Sequence, residues 1–147
     1  MNQHETADVV EIQQLAVRYM AFSARKEKER WLEVFTPDAV YEAFGTRYGL
    51  DDFPRLLDSA PPGQYIGNAP VVDLDGDAAT GVQHYVFIDQ TTHEMRLAWY
   101  DDEYLRTEQG WRLRRRMNVV DRRRGGVDSG EAHDPARYVA GREVDEV

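Results

Sequence analysis

The amino-acid sequence predicts a single α+β domain in which a curved antiparallel sheet curls around N-terminal helices and leaves a pocket between them. Apolar residues recur at helical spacing near the N-terminus, whereas residues 64–121 read as strands separated by polar turns. Helices followed by consecutive strands are typical of the α+β class, and a twisted sheet can close around a helix. A chain of 147 residues fits one domain with a buried core.

The composition excludes several classes of function. A formal net charge of -9 argues against nucleic-acid binding, because that needs a basic surface. The sequence has no cysteine, which excludes disulfides, thiolate nucleophiles and Cys-ligated zinc. Neither a signal peptide nor a membrane span of roughly 20 apolar residues is visible. We therefore expect a cytoplasmic protein that binds neither nucleic acid nor membranes.

The first helix is predicted to begin at Asp8, after a flexible leader of residues 1–7. Asp8 and Glu11 have the spacing of a capping box. The apolar stripe that follows at helical spacing consists of Ile12, Leu15, Ala16, Tyr19, Met20 and Ser23. A second short helix, carrying Trp31, is predicted to stop at residues 36–38 (TPD), because proline disfavours helix in the residue before it.

The remaining elements alternate with turn signals. We predict a strand at 40–44, a third helix within 49–59, strands at 64–74 and 79–88, and a hairpin over 97–121 whose turn ends at Gly110. Residues 122–147 are rich in glycine and charge and predict a mobile tail, so the folded domain is expected to span residues 8–121.

Alternation within the hairpin predicts which side chains face the core. In its second arm, Trp111, Leu113, Met117 and Val119 share one face, and that apolar face ends in Asp121. The opposite face of the hairpin carries tyrosines and arginines, residue types that are enriched at protein interfaces. We therefore predict a homodimer, or alternatively a homotrimer, through the face with Tyr100, Tyr104 and Val120.

Several short motifs together resemble a known family. They are a helix ending in Tyr19, FTPDA at 35–39, LDGDAA at 74–79, YDDEY at 100–104, and GW at 110–111 before an arginine-rich strand. The set is similar to the SnoaL-like branch of the nuclear-transport-factor-2-like superfamily, which includes polyketide cyclases, scytalone dehydratase and bile-acid dehydratases. The resemblance covers residues 8–121. It implies a cone-shaped fold around one deep, largely apolar pocket, and a homodimer or homotrimer.

The resemblance also implies roles for individual residues. Tyr19 matches the helical tyrosine of bile-acid dehydratases, and Asp121 matches the aspartate of some polyketide cyclases. The acid that such enzymes carry a turn after the tyrosine falls near Ser23, and their strand histidine falls near residues 65–68, so both are missing here. The alignment also places His84 on the strand face that points away from the pocket.

Three residues are candidates for catalysis, each with an alternative. Burial in a pocket would raise the pKa of the Asp121 carboxyl, which suits a general acid or base; the alternative is a rim carboxylate paired with neighbouring arginines. His84 titrates in the range of a proton carrier, but its strand neighbours also fit a histidine satisfied in the core. Tyr19 can donate a hydrogen bond to a substrate oxygen, or can be a packed aromatic.

A second set of residues is expected to contact a substrate, because the alignment with the family turns Tyr85, Phe87 and Asp89 toward the pocket and because eight tyrosines in one domain predict that some line it; the alternative for the aromatic residues is packing in the core. These are Tyr41, Tyr65, Asn68, Tyr85, Phe87, Asp89, Trp99 and Met117. No metal site is expected, because the four histidines lack ligand spacing and residues 73–77 (DLDGD) lack the distal glutamate of a calcium loop.

The leading functional hypothesis is a lyase or isomerase that needs no cofactor or metal. It would dehydrate, isomerise or cyclise a hydrophobic, oxygenated small molecule such as a polyketide, steroid or terpenoid by proton transfer. Two alternatives stay open. One is an epoxide hydrolase that activates water in the same pocket, and the other is a small-molecule-binding or assembly module without catalysis.

Overall fold

A computed structural model describes residues 1–122 of the chain. Most of the predicted tail, residues 123–147, lies outside that part. In chain order the elements are α1 (Gln3–Arg25), α2 (Lys28–Leu32), β1 (Phe35–Ala43), β2 (Thr46–Gly49), a 3-10 turn (Leu50–Asp52), α3 (Phe53–Ser59), β3 (Gly63–Gly67), β4 (Val71–Asp75), β5 (Ala78–Asp89), β6 (Met95–Thr107) and β7 (Gly110–Arg122).

The first helix begins earlier than the sequence pattern predicts. Its N-cap is Asn2, whose side chain accepts from the Glu5 backbone N–H at 2.9 Å while the Glu5 carboxylate accepts from the Asn2 N–H at 2.7 Å. The predicted capping box at Asp8 is therefore wrong, and residues 3–7 form helix rather than a leader. Asp8 instead receives hydrogen bonds from Arg106 (2.6 and 2.8 Å) and from Trp111 Nε1 (3.0 Å), which tie α1 to the hairpin.

The sheet is curled, unclosed and mixed, with the strand order β2-β1-β7-β6-β5-β3 and with β4 also paired to β5. All pairs are antiparallel except β1 with β7, which run parallel, so the expectation of a wholly antiparallel sheet is corrected. The predicted strand at 64–74 is two strands, because the segment that contains Pro70 interrupts it. The predicted α+β class, with helices packed against a curled sheet, is confirmed.

The last strand contains an irregularity that changes which side chains face inward. Tyr104 pairs with Leu113, but the preceding residue Glu103 pairs with Arg115, so Arg114 is an extra residue in β7. Because a strand alternates with a period of two, one extra residue exchanges its two faces from that point on. Trp111 and Leu113 face the core as predicted, whereas after the bulge the inward residues are Arg116 and Asn118.

The predicted dimer face is wrong, because β6 turns this side inward: Tyr104 pairs directly with the core residue Leu113. Tyr100, Tyr104, Asp102 and Arg116 are all at most 4% exposed, so they lie inside the cone and cannot form a surface between two chains. The outward parity of the same strands instead carries Trp99 and residues such as Met117 and Val119.

Aromatic side chains fill the space between the helices and the sheet. Tyr19 of α1 meets the rings of Trp31, Phe35 and Tyr100 at centroid distances of 5.6–5.8 Å. Phe53 closes the group from α3, 4.8 Å from Phe35. Rings in edge or tilted contact fix one another's position, so this cluster sets the floor of the cavity described next.

Candidate functional site

A cavity of about 300 Å³ lies between the helices and the inner face of the sheet. The polar side chains in its lining come from seven elements and are Tyr19, Ser23, Tyr41, Tyr48, Ser59, Tyr65, Arg96 and Asn118. Its apolar wall comes chiefly from Trp31, Phe44, Leu56 and Leu57. None of the described residues that line it is a carboxylate or a histidine.

Three tyrosine hydroxyls of the lining are held in the protonated state. Burial raises the pKa of Tyr19, and the positive charge of Arg116 opposes that shift only in part. Burial likewise raises the pKa of Tyr41 well above its usual value and that of Tyr65 to about 12. At neutral pH these hydroxyls are therefore hydrogen-bond donors and general acids, and they are poor bases.

Three lining side chains, Trp31, Arg96 and Asn118, have a buried polar atom without a partner among the described residues. The Asn118 Oδ1 accepts from the Tyr85 hydroxyl at 2.8 Å, but its Nδ2 has no partner among the described residues. The Arg96 Nε is buried and also has none. The Arg96 guanidinium lies over the rings of Phe44, Tyr85 and Phe87 at 5.1–5.8 Å. Buried polar groups usually find partners, so these atoms are candidates for contacts with a ligand.

A buried ion pair supports the floor of the cavity. The Arg116 guanidinium donates to both oxygens of Asp102 at 2.7–2.8 Å, and neither side chain is exposed. It lies between the rings of Tyr19 and Tyr100, at 4.2 and 3.9 Å from their centroids. Burial acts to lower the pKa of Arg116, but the Asp102 carboxylate raises it well above the usual value, so Arg116 keeps its positive charge.

The ion pair has two further polar partners, both buried. The Tyr104 hydroxyl donates to Asp102 at 2.8 Å, and Arg116 donates to the Gln83 Oε1 at 3.0 Å. Sequence reasoning missed this network, because strict alternation places Arg116 on the outer face. The bulge at Arg114 turns Arg116 inward, opposite Asp102 and on the same face as Gln83.

The structure brings some predicted site residues together and separates others. Tyr19, Tyr41 and Tyr65 share the cavity, and Tyr85 and Phe87 face inward close to it, at 5.9 and 4.9 Å from the Tyr65 ring. Tyr85 also stacks on Tyr100 at 4.4 Å.

The remaining predicted residues lie elsewhere. His84, Asn68, Trp99 and Asp121 meet on the outer face of the sheet around a separate, more open depression. His84 lies 5.9 Å from the Trp99 ring, and both His84 and Asp121 are exposed. Asp121 is the extra residue at a second irregularity, between Val120, which pairs with Ala98, and Arg122, which pairs with Leu97. It therefore does not end an inward face, contrary to the expectation from alternation.

Asp89 and Met117 are also not at the cavity. The Asp89 Oδ1 accepts from the backbone N–H groups of Thr91 and Thr92 at 2.8 and 3.0 Å, which holds the turn after β5 and lowers the pKa of Asp89. The Met117 Sδ lies 3.9 Å from an Arg115 nitrogen on the outer face.

The described residues include neither a metal-binding group of side chains nor a membrane-spanning helix. In residues 1–122, no group of three or more His, Cys, Asp or Glu side chains could hold a metal ion. No helix in the same part of the chain has the length and the apolar character to cross a membrane.

Comparison with known proteins identifies the family. The model of the SnoaL-like domain matches residues 4–117. The uncharacterized protein Rv2910c of Mycobacterium tuberculosis (strain ATCC 25618 / H37Rv) is 34% identical over 132 residues, covering 78% of this chain and 86% of that protein.

Solved structures agree with this fold. An NTF2-like protein with a cystatin-like fold from Novosphingobium aromaticivorans has a TM-score of 0.73 at 23% identity, with 84% and 87% of the two chains covered. A hexachlorocyclohexane dehydrochlorinase (LinA Type2) has a TM-score of 0.71 at 15% identity, with 80% and 88% covered. The resemblance read from the motifs is confirmed: the chain belongs to the SnoaL-like domain family, with the nuclear-transport-factor-2-like fold.

Proposed function

We propose that this chain is a cofactor-independent lyase or isomerase acting on a hydrophobic, oxygenated small molecule, such as a polyketide, steroid or terpenoid, held in the inner cavity. The observation that carries the proposal is the convergence of protonated tyrosine hydroxyls, from Tyr19, Tyr41 and Tyr65, on a cavity whose other walls are largely apolar. The dehydrochlorinase that shares the fold catalyses an elimination, which is a reaction of the same kind.

The tyrosines act on the substrate oxygen. A hydroxyl that donates to a carbonyl oxygen stabilises the negative charge that develops there when the neighbouring carbon loses a proton. The enolate then either expels hydroxide from the next carbon or is protonated at a different carbon. In the first case a tyrosine donates the proton that completes water, and the tyrosinate then regains a proton from solvent. The Asn118 Nδ2 is a second donor for the same oxygen.

The described lining offers no carboxylate or imidazole as the proton acceptor, so in this proposal water entering from the cavity mouth accepts the proton. The epoxide-hydrolase alternative is less well supported, because it needs a carboxylate beside the attacking water. The same observation favours a second candidate, a small-molecule-binding module without catalysis. His84 and Asp121 stay candidate catalytic residues only for chemistry on the outer face, where they share a depression with Asn68.

One experiment separates these possibilities. The protein is incubated in D₂O with an extract of hydrophobic metabolites, and mass spectrometry follows compounds that are consumed, formed or deuterated. We expect turnover that falls about 10²-fold or more in Tyr41→Phe, because one hydrogen-bond donor to a developing oxyanion contributes that much. The His84→Gln and Asp121→Asn variants are the matched controls and should keep the native rate.

Two results would contradict the proposal. Loss of turnover in the His84 or Asp121 variant, with Tyr41→Phe unaffected, would move the chemistry to the outer face. A compound that co-elutes with the protein in gel filtration but is neither converted nor deuterated would identify a binding module.

A further inference from the structure

Arg96 introduces a positive charge into the inner cavity, and no described residue supplies a counter-charge. It lies near the start of β6, faces inward and is only partly exposed. The ion pairs found among residues 1–122 do not include it. Its contacts among the described residues are the faces of three aromatic rings, Phe44, Tyr85 and Phe87, and its positive charge partly offsets the burial that raises the pKa of Tyr65.

The other inward-facing arginine shows what is missing at Arg96. Arg116 also lies against aromatic rings, but Asp102 neutralises it through two hydrogen bonds of 2.7–2.8 Å. The described part of the cavity lining contributes no carboxylate that could do the same for Arg96. A cation partly removed from water is stabilised most by an anion brought into contact with it, because the low dielectric constant strengthens their attraction.

The surroundings of Arg96 restrict what that anion can be attached to. Trp31, Leu56 and Leu57 of the helices line the same cavity and offer an apolar surface, which suits an apolar body. A volume of about 300 Å³ admits a molecule of two fused rings. The Asn118 Nδ2, which has no partner among the described residues, adds a neutral donor beside the charge.

We propose that the inner cavity is a receptor for hydrophobic carboxylates, with the ligand carboxylate paired to Arg96 and its apolar body against the helices. This inference rests on the proposed function, because it takes the inner cavity as the substrate site and names the substrate class. The net charge of -9 repels anions at long range, so the selectivity for a carboxylate comes from contact with Arg96.

Two probes of the same shape test this inference. Naphthalene-2-carboxylate and naphthalene-2-carboxamide differ in charge and little in size, and their dissociation constants for the full chain are measured by calorimetry at pH 7. We expect the carboxylate to bind at least tenfold more tightly than the amide. Arg96→Met should remove that preference while leaving amide affinity within about twofold, because the methionine keeps the volume and loses the charge.

Two further variants separate charge from structural damage. Arg96→Lys keeps a cation and should retain part of the preference. Arg114→Met removes an exposed arginine from the outside of the same sheet and should change neither affinity. Melting curves of all three variants show whether the protein is folded under the conditions of the titration.

The outcomes distinguish this inference from the proposed function. Equal binding of the two probes to the native protein, or an unchanged preference in Arg96→Met, overturns the carboxylate inference and leaves the cavity as a binding site for neutral molecules. Binding of neither probe overturns the carboxylate inference, and turnover in the D₂O experiment then decides the proposed function separately.

Discussion

Replacing Asp102 with asparagine should lower the free energy of unfolding by about 3–5 kcal/mol, because it leaves the Arg116 cation buried without its counter-charge. The size of the effect follows from the geometry. Both side chains are 0% exposed, and Asp102 accepts from two Arg116 nitrogens and from the Tyr104 hydroxyl. Arg116 is also held between two tyrosine rings, so it cannot swing out to water.

Urea unfolding followed by circular dichroism measures this loss, which corresponds to a fall in melting temperature of about 6–20 °C at 2–4 °C per kcal/mol for a chain of this size. The control is Asp58→Asn. That variant breaks an ion pair with Lys28 of the same 2.7 Å length, in which the two side chains are 40% and 63% exposed. Removing an exposed pair should cost less than about 1 kcal/mol.

A double variant tests whether charge is the cause. Asp102→Leu combined with Arg116→Met removes both charges and keeps most of the volume, so it should be more stable than either single variant. A cost below about 1 kcal/mol for Asp102→Asn would refute the reasoning. So would a double variant that loses the sum of the two single effects, because the pair would then be uncoupled.

Three other predictions concern stability and association. Hydrogen bonds from Arg106 and Trp111 hold the pKa of Asp8 below its ordinary 3.8, so Asp8→Asn should lower the free energy of unfolding by about 1 kcal/mol at pH 7. Urea titrations should show the difference between the variant and the native protein vanishing as the pH falls below 3.8, where the Asp8 carboxylate becomes protonated. Gly110 has a φ of 98° and a Cβ there would meet the Glu11 carboxylate, so thermal melts should show Gly110→Ala losing more stability than Gly45→Ala, where φ is 77° but the space is open. Because the inner sheet face is buried, we expect a homodimer through the outer face, on which the apolar side chain of Val82 is exposed. Light scattering should then give about twice the 17.0 kDa of one chain, and Val82→Asp should return the mass to that of a monomer.

Local patterns in the sequence are sufficient to predict the fold class and some of the residues that line the cavity. The helical stripe through Tyr19 is the buried face of α1, and the hairpin lies where its alternation and its terminal glycine predict it. The tyrosines at 41 and 65 line the cavity together with Tyr19. These features depend on periodicity within one element, which the sequence contains directly.

The predictions from sequence are wrong where one extra residue in a strand, or pairing with a strand distant in the chain, decides which way a side chain points or a strand runs. The bulge at Arg114 has no compositional signal in a run of three arginines, so Asp121 was expected inside and Arg116 outside. Pairing of β1 with β7 joins residues about 75 positions apart, and neither strand alone indicates that they run parallel. Arg96 was overlooked for a related reason, since an arginine next to a turn is most often a surface residue.

The extra residue at Arg114 also decides which side chains the rest of β7 turns inward. If Arg114 paired regularly instead of bulging, every later residue would shift by one position, so Met117, Val119 and Asp121 would face inward and Arg116 and Asn118 would face outward. A one-residue shift of register would then exchange an amide-lined cavity for one that contains a carboxylate. When relatives are aligned column by column, a gap misplaced by one position in β7 would equate residues of opposite faces, so candidate catalytic positions in this strand should be transferred by strand pairing rather than by sequence alone.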